Sequence, residues 1–280
     1  MPSDSNHIQV QAGQGEGIYL FCFAGAPMPP ILNIKGLDDR YPLSQQAFKD
    51  IVAVLSKVSI NEFCGPSAES RMKDISWVGP RACRHEEVVE LVMGHSPVLP
   101  ARFGTIFSSL EGLERLLEMH HGTIRRFLDE VAEKEEWSVK GLIDKEKATE
   151  ELFSEMRAAD AERLTSLSPG ARYFQEKRIQ SAADKELNTW LKKICKGIGN
   201  DLSRYASDFC ERKVLSREAT GLDADMILNW AFLIQKNLVG DFRAQVDQVN
   251  KNHKQKGLTL EVTGPWPPYS FCPALDMDPR

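Results

Sequence analysis

The 280-residue sequence has no unbroken run of 18 apolar residues, so it contains no stretch long enough to be read as a membrane-spanning helix. It also has no Cys-x-x-Cys, and its six cysteines, Cys22, Cys64, Cys83, Cys195, Cys210 and Cys272, lie far apart. That spacing speaks against a disulfide framework and a structural zinc site, and predicts scattered reduced thiols. There is no Gly-x-x-x-x-Gly-Lys-Ser/Thr, and the repeat Gly13, Gly15, Gly17 precedes an apolar run instead of following one, so no nucleotide-binding turn is expected. Neither sign of charge is in large excess: 35 basic and 40 acidic side chains leave a net charge of −5. Without a basic surplus, nucleic acid and membrane surfaces are poor partners. Met1 to Asn6 lacks the basic start of a signal peptide, and a cytoplasmic protein is expected.

Histidines are few. His85, His95, His120 and His121 fall in the first half, with Cys83 two residues before His85. On a helix, neighbours at i+1 and i+2 point to different sides, so none of these pairs makes an i, i+4 ligand clamp. They are read as surface or helix-end side chains, and no metal, no cofactor, no catalytic residue and no small-molecule substrate is expected.

The length suggests two compact units. Residues 1–16 lack apolar periodicity and are read as a flexible tail. Ile18 to Phe23 is a short β-rich run closed by Gly25 and by Pro27, Pro29 and Pro30, and Ile51 to Val58 is a second strand. Pro80 suits a first helical position, with Val88, Leu91 and Val92 following at helical spacing and Gly94 as the stop. Pro97 to Gly104 is a strand whose prolines belong at an edge or start. Leu110, Leu113, Leu117, Ile124, Leu128 and Val131 form one helical stripe, and Trp137 to Ile143 returns to strand period. These elements predict an α+β fold of two domains. The first, residues 17–143, is a modified ferredoxin-like sheet with helices on one face; Ser44 to Lys49 is the one place for the helix missing between its first two strands.

Residues 144–271 form a second, helical then α+β domain, with residues 272–280 as another flexible tail. Leu152, Phe153, Met156 and Leu164 mark one helix, and Leu187 through Phe209 a longer one beyond Pro169-Gly170, with a bend at Gly197 and Gly199. Val214-Leu215 and Met226 to Ile234 read as a hairpin turning at Gly221-Leu222-Asp223. A helix carrying Phe242, Val246 and Val249 follows, then a strand at Leu258, Leu260 and Val262.

Three stretches carry more than local structure. The charge run Glu130, Glu133, Lys134, Glu135, Glu136 reads as a solvated helix end, with docking of a basic partner surface as the alternative. Arg102 and Phe103 sit between Pro100 and Gly104, where a buried, paired arginine of structural role is expected and an exposed one beside an apolar patch would instead bind an acidic group. Gly264-Pro265-Trp266-Pro267-Pro268-Tyr269-Ser270-Phe271 sets three aromatics among prolines; it is stiff and suited to docking, and Trp266, Tyr269 and Phe271 are expected to close the core of the second domain, the alternative being a recognition strip for another protein.

These segments, taken in order with Gly17-Ile18-Tyr19-Leu20, Val98 to Thr105, Glu136-Trp137-Ser138-Val139-Lys140 and Arg84-His85-Glu86, give a sequence that resembles the GvpL/GvpF family of gas vesicle accessory proteins over residues 17 to 271. Ala101 and Ser138 depart from the family pattern, which has a larger apolar residue and a glycine there. The resemblance implies a non-enzymatic assembly protein that contacts the hydrophobic shell protein GvpA and other gas vesicle proteins in the cytoplasm and at the vesicle. The sequence is open to two other readings: a ferredoxin-like regulatory module binding a small metabolite between domains, and an enzyme using Cys83 and His85.

Overall fold

The computed structural model describes residues 15–31, 33–63, 68–221 and 223–276. Most of the proposed tail at 1–16, Cys64, Leu222 of the proposed turn, and 277–280 lie outside the described residues. The α+β class expected from the sequence is what the structure shows, with two separate sheets.

The apolar run at Ile18 to Phe23 forms the centre of β1 (Glu16–Gly25), which is buried from Gly17 to Ala24. Burial of consecutive residues means that both faces of the strand are covered. β1 pairs antiparallel with β3 (Ile51–Ser59) on one side, and with β4 (Val98–Pro100) and β5 (Ile106–Phe107) on the other. β2 (Leu43–Phe48) adds to the outside of β3, giving the order β2-β3-β1-β4. The segment considered for a short helix at Ser44 to Lys49 is therefore a strand, turning at Lys49 with φ 53° into β3. Its polar residues suit an edge strand, half of which faces water.

Two short helices, α1 (Ile60–Phe63) and α2 (Ala68–Lys73), lead into α3 (Ile75–Met93). α3 starts five residues before Pro80: Asp74 caps it, accepting from Ser76 N at 2.9 Å, and Pro80 lies inside the helix. α4 (Leu110–Val131) follows the predicted stripe, capped by Ser109 accepting from Gly112 N at 3.3 Å.

The chain divides at Lys134/Glu135 and again at Trp266/Pro267: the first unit comprises residues 1–134 and 267–280, the second 135–266. This corrects both boundaries read from sequence. The strand at 137–143 belongs to β6 (Lys134–Ile143), which pairs with β9 (Leu258–Trp266) and sits inside the second sheet, of order β7-β8-β6-β9. Residues 267–276, assigned to the second domain and a tail, belong to the first unit.

In the second unit α5 (Lys145–Ala159) and α6 (Ala161–Ser166) precede α7 (Pro169–Leu202), a single helix of 34 residues. Pro169 stands at its first turn behind the N-cap Ser168, so the proline that seemed only to separate two helices starts the long one. Ile179, Ala183, Leu187, Leu191, Ile198 and Leu202 form its buried stripe. Phe209, expected on that helix, lies instead in β7 (Ala206–Glu211), which pairs with β8 (Asp225–Gln235); the hairpin is real, but its first strand precedes Val214-Leu215. α8 (Arg217–Thr220) lies in the connection, and α9 (Val239–His253) packs Phe242, Val246 and Val249 into the core with Trp230 and Phe232.

The charge run at 130–136 is a solvated helix end only in part: Glu130 and Glu133 are exposed there, and Glu136 is not. α4 stops at Val131, and Glu136 is only 1% exposed on β6, ion-paired with Arg212, whose guanidinium also donates to Ser138 Oγ at 3.4 Å. A buried carboxylate needs such a partner, and removing either side strands the other.

At the far end of β9, Gly264 has φ +147°, and a Cβ there would stand 2.9 Å from the Glu136 carbonyl oxygen and 3.0 Å from the Trp137 ring. Both the conformation and the space demand glycine. Gly264→Ala is expected to cost about 2 kcal/mol or more. Gly122→Ala, inside α4 where a Cβ meets nothing within 4 Å, is expected to stabilise by roughly 1 kcal/mol. Urea unfolding midpoints followed by tryptophan fluorescence check both signs.

Candidate functional site

Val88, Val89 and Val92 turn one face of α3 onto β1, and His85 lies on the same stripe. It is buried between Tyr19 and the backbone that leaves β4. Its Nε2 is 3.1 Å from the Ala101 carbonyl, which can only accept, so Nε2 carries the proton. Nδ1 is then an acceptor, and the Tyr19 hydroxyl donates to it at 2.8 Å. Gly104 N donates to the same hydroxyl at 3.2 Å. Burial pushes the His85 pKa down to about 4, with the Ala101 carbonyl opposing it weakly, and burial likewise raises the Tyr19 phenol. His85 stacks on Phe21, with ring centroids 5.6 Å apart, and meets Phe103 edge-on at 6.0 Å.

This network fixes the loop 101–105. Ala101 N donates to Phe21 O at 2.9 Å, Leu20 N to Thr105 O at 3.0 Å, and Thr105 closes the turn through its N and Oγ1 onto the Arg102 carbonyl at 3.1 and 2.7 Å. Gly104, with φ +86°, makes the turn possible. The result is a rigid loop that holds the Arg102 side chain out in solvent, where it pairs with no carboxylate among the described residues. The expectation of a buried, structural Arg102 is thereby corrected: β4 ends at Pro100, and the turn directs the next polar side chain outward.

Residues 267–276 return to this place. Cys272 Sγ lies 3.3 Å from the Pro268 carbonyl and 3.9 Å from the Pro100 carbonyl, and His120 Nε2 donates to the Asp276 carbonyl at 3.2 Å. Because Ala101 N points at β1, alternation turns the Pro100 backbone the other way, toward this strap. Between strap and sheet is a cleft of about 370 Å³ lined by Leu20, Leu99, Ala101 and Arg102 on one side and by Tyr269 and Leu275 on the other. Burial and the facing Glu86 carboxylate raise the Tyr269 phenol well above the usual range. On the other flank of the loop, Met72 reaches to 4.0 Å from where a Cβ on Gly104 would stand, and nearby in sequence Ile75 is 80% exposed.

Of the residues singled out from sequence, Arg102 and Tyr269 line one cleft, Phe103 packs beneath the loop on Tyr19 and His85, and Phe271 closes the turn of the strap with its N on the Pro268 carbonyl at 3.2 Å. Trp266 stands apart. It is 38% exposed at the end of β9, its Nε1 donating to Thr263 Oγ1 at 3.1 Å, and Tyr269 docks on the first unit, so neither closes the core of the second. Tyr19 and His85 were missed as site residues. The spacing 85, 88, 89, 92 was the available signal, obscured by counting Leu91, which is exposed, in place of Val89.

The pairing of Cys83 with His85 does not occur. Cys83 is exposed, and both ring nitrogens of His85 are taken. Among the described residues no group of three or more His, Cys, Asp or Glu is placed to hold a metal, and no helix is long and apolar enough to cross a membrane.

Residues 17–273 match the model of the gas vesicle synthesis protein GvpL/GvpF family. The chain belongs to that family. Gas vesicle protein L of Streptomyces sp. (strain CB03234) is 26% identical to this GvpL/GvpF chain over 231 residues, covering 82% of each. Gas vesicle protein F of Nostoc sp. (strain PCC 7120 / SAG 25.82 / UTEX 2576) is 23% identical over 261 residues, covering 91% of this chain and 98% of the relative. The crystal structure of GvpF from Anabaena sp. PCC7120 superposes with a TM-score of 0.69 at 21% identity, over 92% of this chain and 99% of that one. GvpF from Microcystis aeruginosa gives 0.63 at 20% identity with the same coverage. At these identities the structures establish a shared fold. The GvpL/GvpF family is one of gas vesicle proteins and is not a known enzyme family.

The network makes a pH statement. His85 is held below its unfolded pKa near 6.5, so the unfolded chain takes up its proton first, and the stability His85 confers is complete above about pH 6.5 and lost as pH falls toward about 4. The loss across that window is expected to reach about 3 kcal/mol. His85→Gln removes this titration, so the difference in unfolding free energy between wild type and variant should shrink as the pH is lowered from 7 to 4.5.

Proposed function

We propose that this protein is a non-enzymatic assembly factor that takes hold of a subunit of the hydrophobic shell protein GvpA, with the 101–105 loop of the first unit as the contact. The observation that carries this reading is Arg102: a solvent-facing guanidinium on a loop fixed by buried hydrogen bonds, with the cleft on one flank and Met72 on the other. Such a loop offers a five-donor fork to a carboxylate while the apolar surface beside it covers an adjoining hydrophobic segment. A shell subunit with exposed apolar strands needs cover of this kind until it joins the wall. The cover is made by side chains and not by strand addition, because Pro97 and Pro100 strip donors from the β4 segment and the strap crosses the Pro100 backbone. The protein then works in the cytoplasm and at the growing vesicle, in company with other gas vesicle proteins, and the reading requires no cofactor.

Arg102→Ala is expected to leave the melting temperature unchanged while weakening binding of purified GvpA about tenfold, with wild-type binding falling as salt rises and the variant's falling less. Arg102→Lys, which keeps the charge but not the fork, should recover only part of the loss. Light scattering of GvpA diluted from denaturant into each variant gives the second readout. Equal affinity and equal suppression of scattering by Arg102→Ala would refute the assignment.

A further inference from the structure

The second unit carries a surface that none of the foregoing uses. Along α7 and just past its end, Lys192, Cys195, Lys196, Gly199, Asn200 and Ser203 step by three and four, forming one stripe about 16 Å long. Opposite stands the β7–β8 hairpin, and between them runs a groove of about 590 Å³. Its floor is apolar: Phe209, Ile227 and Trp230 line it, and Gly199 lets the Trp230 ring come close, since a Cβ at that position would lie 3.4 Å from the ring. Val214, in the groove wall, and the adjacent Leu215 are both exposed.

The residues lining the groove carry more positive than negative charge. Lys192 and Lys196 are exposed one turn apart and form no ion pair among the described residues; Lys193, next to Lys192 in sequence, and Lys213, between the lining residues Arg212 and Val214, are also exposed. Arg212 is held in place by the buried Glu136, and Glu211 is the sole acidic residue among those lining the groove. In a chain whose net charge is −5, this is a local inversion.

We propose that this groove is the docking site for an amphipathic helix of a partner protein whose apolar stripe is bordered by aspartate and glutamate. The length of the α7 stripe, about 16 Å, matches roughly three turns of a helix laid alongside, the aromatic floor takes its apolar face, and the lysines meet its acidic flank. The site is separate from the Arg102 loop, so its failure and the failure of that reading are independent.

The test uses the full chain and a fluorescein-labelled 18-residue peptide with leucine at helical spacing and glutamate elsewhere. Two controls accompany it: a peptide of the same composition in scrambled order, and one with lysine in place of glutamate. Fluorescence anisotropy is expected to show the ordered acidic peptide binding at least tenfold tighter than either control. Lys192→Glu with Lys196→Glu should weaken it tenfold or more, and Val214→Asp should weaken it independently of those charges. All three positions are solvent-exposed, and melting curves confirm that the variants fold; if the double lysine variant does not, Val214→Asp alone decides. Arg102→Ala should leave this binding unchanged. Equal binding of the scrambled peptide, or undiminished affinity in the folded groove variants, overturns the proposal.

Discussion

A hydrogen-bonded line runs from Gly104 N through the Tyr19 hydroxyl and the His85 ring to the Ala101 carbonyl, and it joins a strand, a helix and a loop that lie far apart in the sequence. Each group in it has one job. The carbonyl can only accept, so the ring proton must be on Nε2; Nδ1 must then accept, so the tyrosine must donate; its oxygen is left to receive the Gly104 amide. Charge on the ring would bring an unpaired cation into an aromatic pocket of Phe21 and Phe103, which is why burial keeps it neutral. The position of Arg102 depends on this line: the loop is rigid because both its ends are bonded to β1 and its middle is bonded to a residue of the core.

Much of this was legible in the sequence, and the pattern of success has a physical cause. α4 and α9 are legible because apolar residues recur along them at helical spacing and those residues are the buried ones, and β1 and β8 because each is an apolar run short enough for a strand and buried along nearly its whole length. β6 was found but put in the wrong sheet, since alternation specifies which face of a strand is buried and not which strands it joins. β2 was read as room for a short helix because Ser44, Gln45 and Gln46 give an edge strand no apolar alternation. The first turns of α7 were missed because their side chains, Arg172 to Lys177, face solvent and leave no stripe.

The site was legible only in part. Arg102 and the proline-flanked aromatics stand out by composition, and the stiffness of the latter marks a segment that packs as a unit. Where they dock was not legible, because the same stiff segment that ends β9 can cover any apolar surface within reach, and nothing local chooses between two units. His85 and Glu136 show the opposite failure. Polar side chains were taken to be on the surface, yet each is buried because one specific partner, Ala101 in one case and Arg212 in the other, comes from a distant part of the chain.

The strap has a consequence for the order in which the protein is made. The second unit is inserted into the first, between residues 134 and 267, so the wall of the cleft formed by Tyr269 and Leu275 emerges from the ribosome only after the whole second unit. Until then the first unit has its strands and helices but exposes Pro100, and the cleft has one side. A nascent chain, or one cut short within the second unit, therefore cannot present the complete cleft; it gains its second side only once residues 267–276 have been made.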